Sequence, residues 1–143
     1  MDGVTLRQAS ITDSSRIAGL LTQLGYPTTP ADMEDRLVVL LSHPDYATFV
    51  AETSGQVVGL VGAHLGLALE FDTRYGRLTG LVVDTDWRGR GLGKALMHHV
   101  EHWLRNQGVT YITLTSGNHR VEAHSFYQAI EYKATGVRFA KHL

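Results

Sequence analysis

The sequence predicts a single mixed α/β domain over residues 1–143, and three observations carry that expectation. Runs of β-branched and apolar residues with strand character alternate with amphipathic runs of helical spacing. Two of the strand-like runs, YATFVAET and QVVGLVGAHL, flank Ser54-Gly55, the pattern of a tight antiparallel hairpin. Between a third such run, RLTGLVV, and a strongly amphipathic run stands RGRGLG, residues 88–93, with glycines at three alternate positions.

Taken in order, VTLRQA opens the chain as a strand. In TDSSRIAGLLTQLG, Thr12 and Asp13 are capping residues, Ile17, Leu20, Leu21 and Leu24 share one helical face, and Gly25 supplies the stop. A second helix starts at Thr29 as cap, with Pro30 in its first turn and Asp32 as capping acid, and its face is Met33, Leu37, Leu40 and Leu41. The hairpin and RLTGLVV follow. Residues 92–107 form a helix with Leu92, Leu96, Val100, Trp103 and Leu104 on one stripe, ended by Gly108. VTYITLT is a strand, HRVEAHSFYQAI a helix, and YKATGVRFAKHL a final strand or hairpin, so the order reads β-α-α-β-β-β-α-β-α-β.

Bulk properties narrow the function. With 13 basic against 14 acidic residues, no overall field recruits nucleic acid or an anionic membrane, and any anion site is local. The absence of cysteine excludes a disulfide framework and thiolate chemistry and fits a reducing compartment. No apolar run reaches the ~20 residues needed to cross a bilayer, and MDGVTLRQAS lacks a signal-peptide pattern, so a soluble, cytoplasmic protein is expected.

The glycine loop does not match the common phosphate-binding patterns. A Walker loop needs glycine five residues before the Gly-Lys pair and Ser or Thr after it; Arg88 and Ala95 stand there instead. A dinucleotide loop needs G-x-G-x-x-G, whereas the spacing here is G-x-G-x-G. What fits is a cradle for a pyrophosphate. A helix beginning at Leu92 leaves backbone N–H groups unpaired at the positive end of its dipole, the glycines let an anion reach them, and Arg88, Arg90 and Lys94 add charge.

RGRGLG resembles the R/Q-x-x-G-x-G/A loop of the GNAT superfamily of acetyl-CoA-dependent N-acetyltransferases, with LVVDTDW as its preceding strand and EAHSFYQAIEY as its later helix. Within that superfamily the chain looks most like aminoalkylphosphonate and small-amine acetyltransferases. The resemblance implies a central mixed, mostly antiparallel sheet flanked by helices. It implies acetyl-CoA as co-substrate, with Arg88, Gly89, Arg90, Gly91, Leu92, Gly93 and Lys94 around the pyrophosphate and Leu81, Val82 and Val83 along the pantetheine arm. The Val83 N–H would polarise the thioester carbonyl. Tyr127 matches the tyrosine that protonates the departing thiolate, Asn118 the asparagine that contacts the cofactor, and Phe126 stands beside them as a cofactor contact or a packing residue.

Two departures from the family pattern stand out. Glu131-Tyr132 replaces Gly-Phe after the tyrosine, and Arg77 and Gly80 occupy the strand where relatives carry a glutamate base. The substitute bases are Glu70, Asp72 and His64. His98 and His102, spaced i, i+4, lack the glutamate of H-E-x-x-H and a third ligand, so they read as a solvated face and no metal is expected. The expected reaction is direct acetyl transfer to the primary amine of a small molecule, with a non-catalytic CoA-binding module as the alternative and a homodimer as the expected assembly. Glu70, Asp72 and Asp32 would suit a cationic acceptor, whereas Arg74 and Arg77 would suit an acidic one.

Overall fold

A computed structural model describes residues 3–143, in two compact units: one ending at Thr113, the other Leu114–Leu143. The first unit contains β1 (Thr5–Gln8), α1 (Ser14–Leu24), α2 (Pro30–Ser42), β2 (Tyr46–Thr53), β3 (Gln56–Gly66), β4 (Tyr75–Val83), α3 (Leu92–Asn106) and β5 (Ile112–Thr113). The second contains α4 (Val121–Ala129). The sheet runs β1-β2-β3-β4-β5, antiparallel up to β4, with β5 parallel to β4.

Local chemistry accounts for the boundaries. Thr29 caps α2 by accepting the Asp32 N–H at 3.1 Å, and Pro30 begins the helix. Gly25 closes α1 at φ +109°. Asp13, not Thr12, is the N-cap of α1; it also ends a short 3-10 turn, Ile11–Asp13, which Ser10 caps, and its carboxylate accepts from the Ser10 N–H (2.8 Å). Ser54 (φ +49°) and Gly55 (φ +75°) both sit in the left-handed region, the turn that matches the twist of a two-residue hairpin.

The sheet is covered on both faces. Ile17, Leu20, Met33 and Leu37 of α1 and α2 pack with Val50, Val57, Leu60 and Val82. On the opposite face, a Cβ at Gly59 would meet Leu96 of α3 at 2.9 Å, and one at Gly76 would meet Leu104 at 2.7 Å. These two glycines allow α3 to lie close to the sheet.

Two strand expectations change. Of VTYITLT only Ile112 and Thr113 pair, opposite Gly76 and Arg77 of β4. YKATGVRFAKHL forms neither strand nor hairpin, so the final β of the expected order is absent among the described residues. A strand is held by ladder partners and by one buried face; every side chain from Lys133 onward is exposed, Val137 and Phe139 included, so the apolar residues of this segment bury nothing.

Candidate active site

The glycine loop is built from β4 outward. Asp84 ends the strand: its carboxylate accepts from the Asp86 N–H at 3.0 Å, and its carbonyl accepts from the Trp87 N–H at 2.8 Å, turning Thr85–Trp87 into a 3-10 turn. Gly89 (φ +76°) and Gly91 (φ +81°) then take left-handed conformations. Glycine is therefore required at these two positions by the backbone itself, and the space where a Cβ would stand is open in both cases. Gly91 is the N-cap of α3, so no capping side chain satisfies the first amides, and the first intrahelical bond runs from the Ala95 N–H to the Gly91 carbonyl (3.1 Å). The N–H groups of Leu92, Gly93 and Lys94 are left facing outward beside exposed Arg88, Arg90 and Lys94.

Side chains distant in sequence hold this loop. Arg16 of α1 donates to the Val57 carbonyl (3.0 and 2.8 Å) and to the Asp84 carboxylate (3.0 Å). The Gln23 side-chain carbonyl accepts from the Thr85 N–H (3.0 Å) and hydroxyl (3.1 Å). The Asp86 N–H, and beside it the Arg16 guanidinium, hold the Asp84 carboxyl below its usual range. Arg88 donates to the Val83 carbonyl (3.0 Å), and the Arg90 guanidinium lies 4.5 Å from the centre of the Trp87 ring. Sequence reasoning missed Arg16 and Gln23 entirely.

β4 presents an open edge. Its pairing with β5 covers Gly76 and Arg77 only, so among the described residues, 78–83 have no strand neighbour on that side. The Asp84 N–H donates to the Val58 carbonyl (2.8 Å); by the two-residue period of a strand, Leu81 and Val83 turn their N–H groups the other way, toward the open edge. A bulge sharpens the departure. Gly62 pairs with Gly80 and Ala63 with Leu78, leaving Thr79 as the extra residue of β4.

The face that α1 and α2 cover near Val82 is bare farther along β4. His64 and Arg77 are cross-strand partners there, both half-buried, and the Tyr46 ring lies 5.1 Å from that of His64. Arg74 is neutralised by Asp45 at 3.0 Å. Glu70 and Asp72 lie exposed in the loop between β3 and β4. Of the three substitute bases, only His64 lies in the sheet. His98 and His102 are exposed on α3, and His102 Nε2 lies 3.3 Å from the Asn106 amide.

In the second unit, Tyr127 is half-buried on α4, with the rings of Phe126 at 5.2 Å and Tyr132 at 5.9 Å. Burial pushes its phenol above the usual value, with Arg120 pulling weakly the other way. Glu131 takes φ +75°, the conformation that glycine would supply, and the Tyr132 N–H donates to the Tyr127 carbonyl at 2.9 Å. The turn after the tyrosine is thus retained without its glycine. Asn118 is exposed in the turn that the Arg120 N–H closes onto the Gly117 carbonyl (3.0 Å). Two residues before it, the buried Ser116 hydroxyl has no hydrogen-bond partner among the described residues.

The model of the acetyltransferase (GNAT) family matches residues 16–132. Human N-acetyltransferase 8B is 35% identical over 111 residues, 76% of this chain and 48% of that protein; the chain spans about half the length of such relatives. The aminoalkylphosphonate N-acetyltransferase of Salmonella typhimurium is 28% identical over 143 residues, covering 96% of this chain and 90% of its own. A crystal structure of a GNAT family acetyltransferase from Staphylococcus aureus superposes with a TM-score of 0.84 at 26% identity, over 99% of both chains.

Proposed function

The chain belongs to the acetyltransferase (GNAT) family, and on that premise we propose that it is an N-acetyltransferase moving acetyl from acetyl-CoA to the primary amine of a small molecule. The observation that carries this reading is the uncapped N-terminus of α3 behind two left-handed glycines, beside the open edge of β4. The family match runs through both compact units, which supports treating residues 1–143 as one catalytic domain.

In this reading Arg88–Lys94 hold the pyrophosphate of acetyl-CoA, and the pantetheine arm adds to the free edge of β4 at Leu81–Val83 in the manner of an extra strand. The outward N–H of Val83 polarises the thioester carbonyl. Asn118 and Phe126 contact the cofactor. The neutral amine attacks the carbonyl carbon, a C–N bond forms, and the tetrahedral oxyanion collapses with loss of the C–S bond. Tyr127 gives its proton to the leaving thiolate; a phenol, with an ordinary pKa of about 10, carries that proton at neutral pH. His64 is the candidate to take the ammonium proton, and Glu70 the alternative from the adjoining loop. The lack of cysteine favours direct transfer over a ping-pong route through a thiol.

The cysteine-free composition supports a cytoplasmic setting. A homodimer is the assembly proposed for this chain. The activity is tested by initial rates of thiol release with acetyl-CoA and amine both varied. Lines that intersect in the reciprocal plot support a ternary complex; parallel lines contradict direct transfer.

A further inference from the structure

The bare end of the sheet face beyond α1 and α2 has a composition that the reaction as described leaves unused. Gly62 and Gly80 are partners across β3 and β4, and nothing lies within 4 Å of where a Cβ of Gly80 would be. The Thr79 hydroxyl, thrown out by the bulge, stands 2.6 Å from where a Cβ of Gly62 would be, on the face that also carries His64. The hydroxyl has no hydrogen-bond partner among the described residues, and its side chain is exposed. Next along the face, Arg77 is half-buried and has neither a hydrogen-bond nor an ion-pair partner among the described residues. Arg74, three residues earlier, shows the contrast: its charge is spent on Asp45.

A guanidinium with no protein partner binds a planar or tetrahedral oxyanion best, through two parallel N–H bonds. Here it lies beside a free hydroxyl and a glycine floor that leaves room at backbone level. We propose that Arg77 and Thr79 form a seat for the acidic group, phosphonate or carboxylate, of the acceptor amine. The proposal rests on the acetyltransferase reading above. The same geometry decides between the opposing charges of the acceptor region. The acids, Glu70 and Asp72, are exposed in a loop, whereas the unspent cation is in the sheet.

The test uses the intact protein with acetyl-CoA and four acceptors of similar length: aminoethylphosphonate, β-alanine, propylamine and a diamine. The seat predicts that kcat/KM favours the acid-bearing amines over propylamine by about 10- to 100-fold, the range of one charged hydrogen-bonding site. The phosphonate and carboxylate arms tell which anion it prefers. In Arg77→Gln that ratio falls by about tenfold or more, while Arg77→Lys restores part of it. A merely structural arginine would lower the rates for all four amines together. Calorimetric titration of aminoethylphosphonate into the CoA-loaded protein separates this seat from the activity itself. Binding that Arg77→Gln weakens, without turnover, keeps the seat and removes acetyl transfer. Turnover of propylamine with no preference for the acidic amines overturns the seat and leaves the activity. Absence of both turnover and Arg77-dependent binding overturns both.

Discussion

At the residue scale, Tyr127 and Glu131 carry the sharpest expectations. Tyr127→Phe keeps the ring against Phe126 and Tyr132 but removes the proton donor. General acid catalysis is worth about 10²–10⁴-fold, so kcat should fall within that range while KM for acetyl-CoA hardly moves. A fully active Tyr127→Phe enzyme would assign this phenol to packing. Glu131 stands in the left-handed region, at a cost of about 1–2 kcal/mol for a residue with a Cβ. Glu131→Gly should therefore stabilise the turn by up to about 1 kcal/mol, read as slower amide exchange at Ile130–Tyr132 with the rate of acetyl transfer unchanged. The missing glycine was visible in the sequence; whether the turn would keep its shape was not, because only the backbone angle reports that.

At the element scale, the caps and the hairpin were legible because their determinants are local. Thr29, Pro30, Gly25 and Ser54-Gly55 act within a few residues of where they stand. The clamp on the glycine loop was not, since Arg16 and Asp84 are 68 residues apart and Gln23 and Thr85 are 62 apart. Nor was the bulge at Thr79, which exists only as a count of β4 residues against β3. The last segment failed as a strand because alternation alone does not supply a partner. The clamp leads to a prediction of its own. Arg16→Met keeps the aliphatic stem but frees Asp84, so affinity for acetyl-CoA should fall about tenfold, the effect of a charged hydrogen bond discounted for an arginine side chain that is 40% exposed. Titration calorimetry measures it; unchanged affinity would show that the loop holds its shape without α1.

At the scale of the whole molecule, charge balance is close to neutral, but individual carboxylates couple the fold to pH. The Arg7 guanidinium holds Asp13 below its ordinary value of 3.8, and the Asp86 N–H with Arg16 does the same for Asp84. A depressed carboxylate stabilises the folded chain fully above its unfolded value and loses that contribution as pH falls through its folded value. Thermal stability should thus hold down to about pH 4 and decline below it, and Asp13→Asn should flatten that decline while lowering stability at neutral pH. A wild-type profile with no acid-side decline would contradict the assignment. The central claim, acetyl transfer from acetyl-CoA to a small amine, is tested most directly by following free thiol and product mass together in one reaction with a panel of amines. The account predicts that free CoA appears only when an amine is present, in equal amount with an amine heavier by one acetyl group. Tight acetyl-CoA binding with no acetylated amine across the panel would contradict it and leave a CoA-binding module instead.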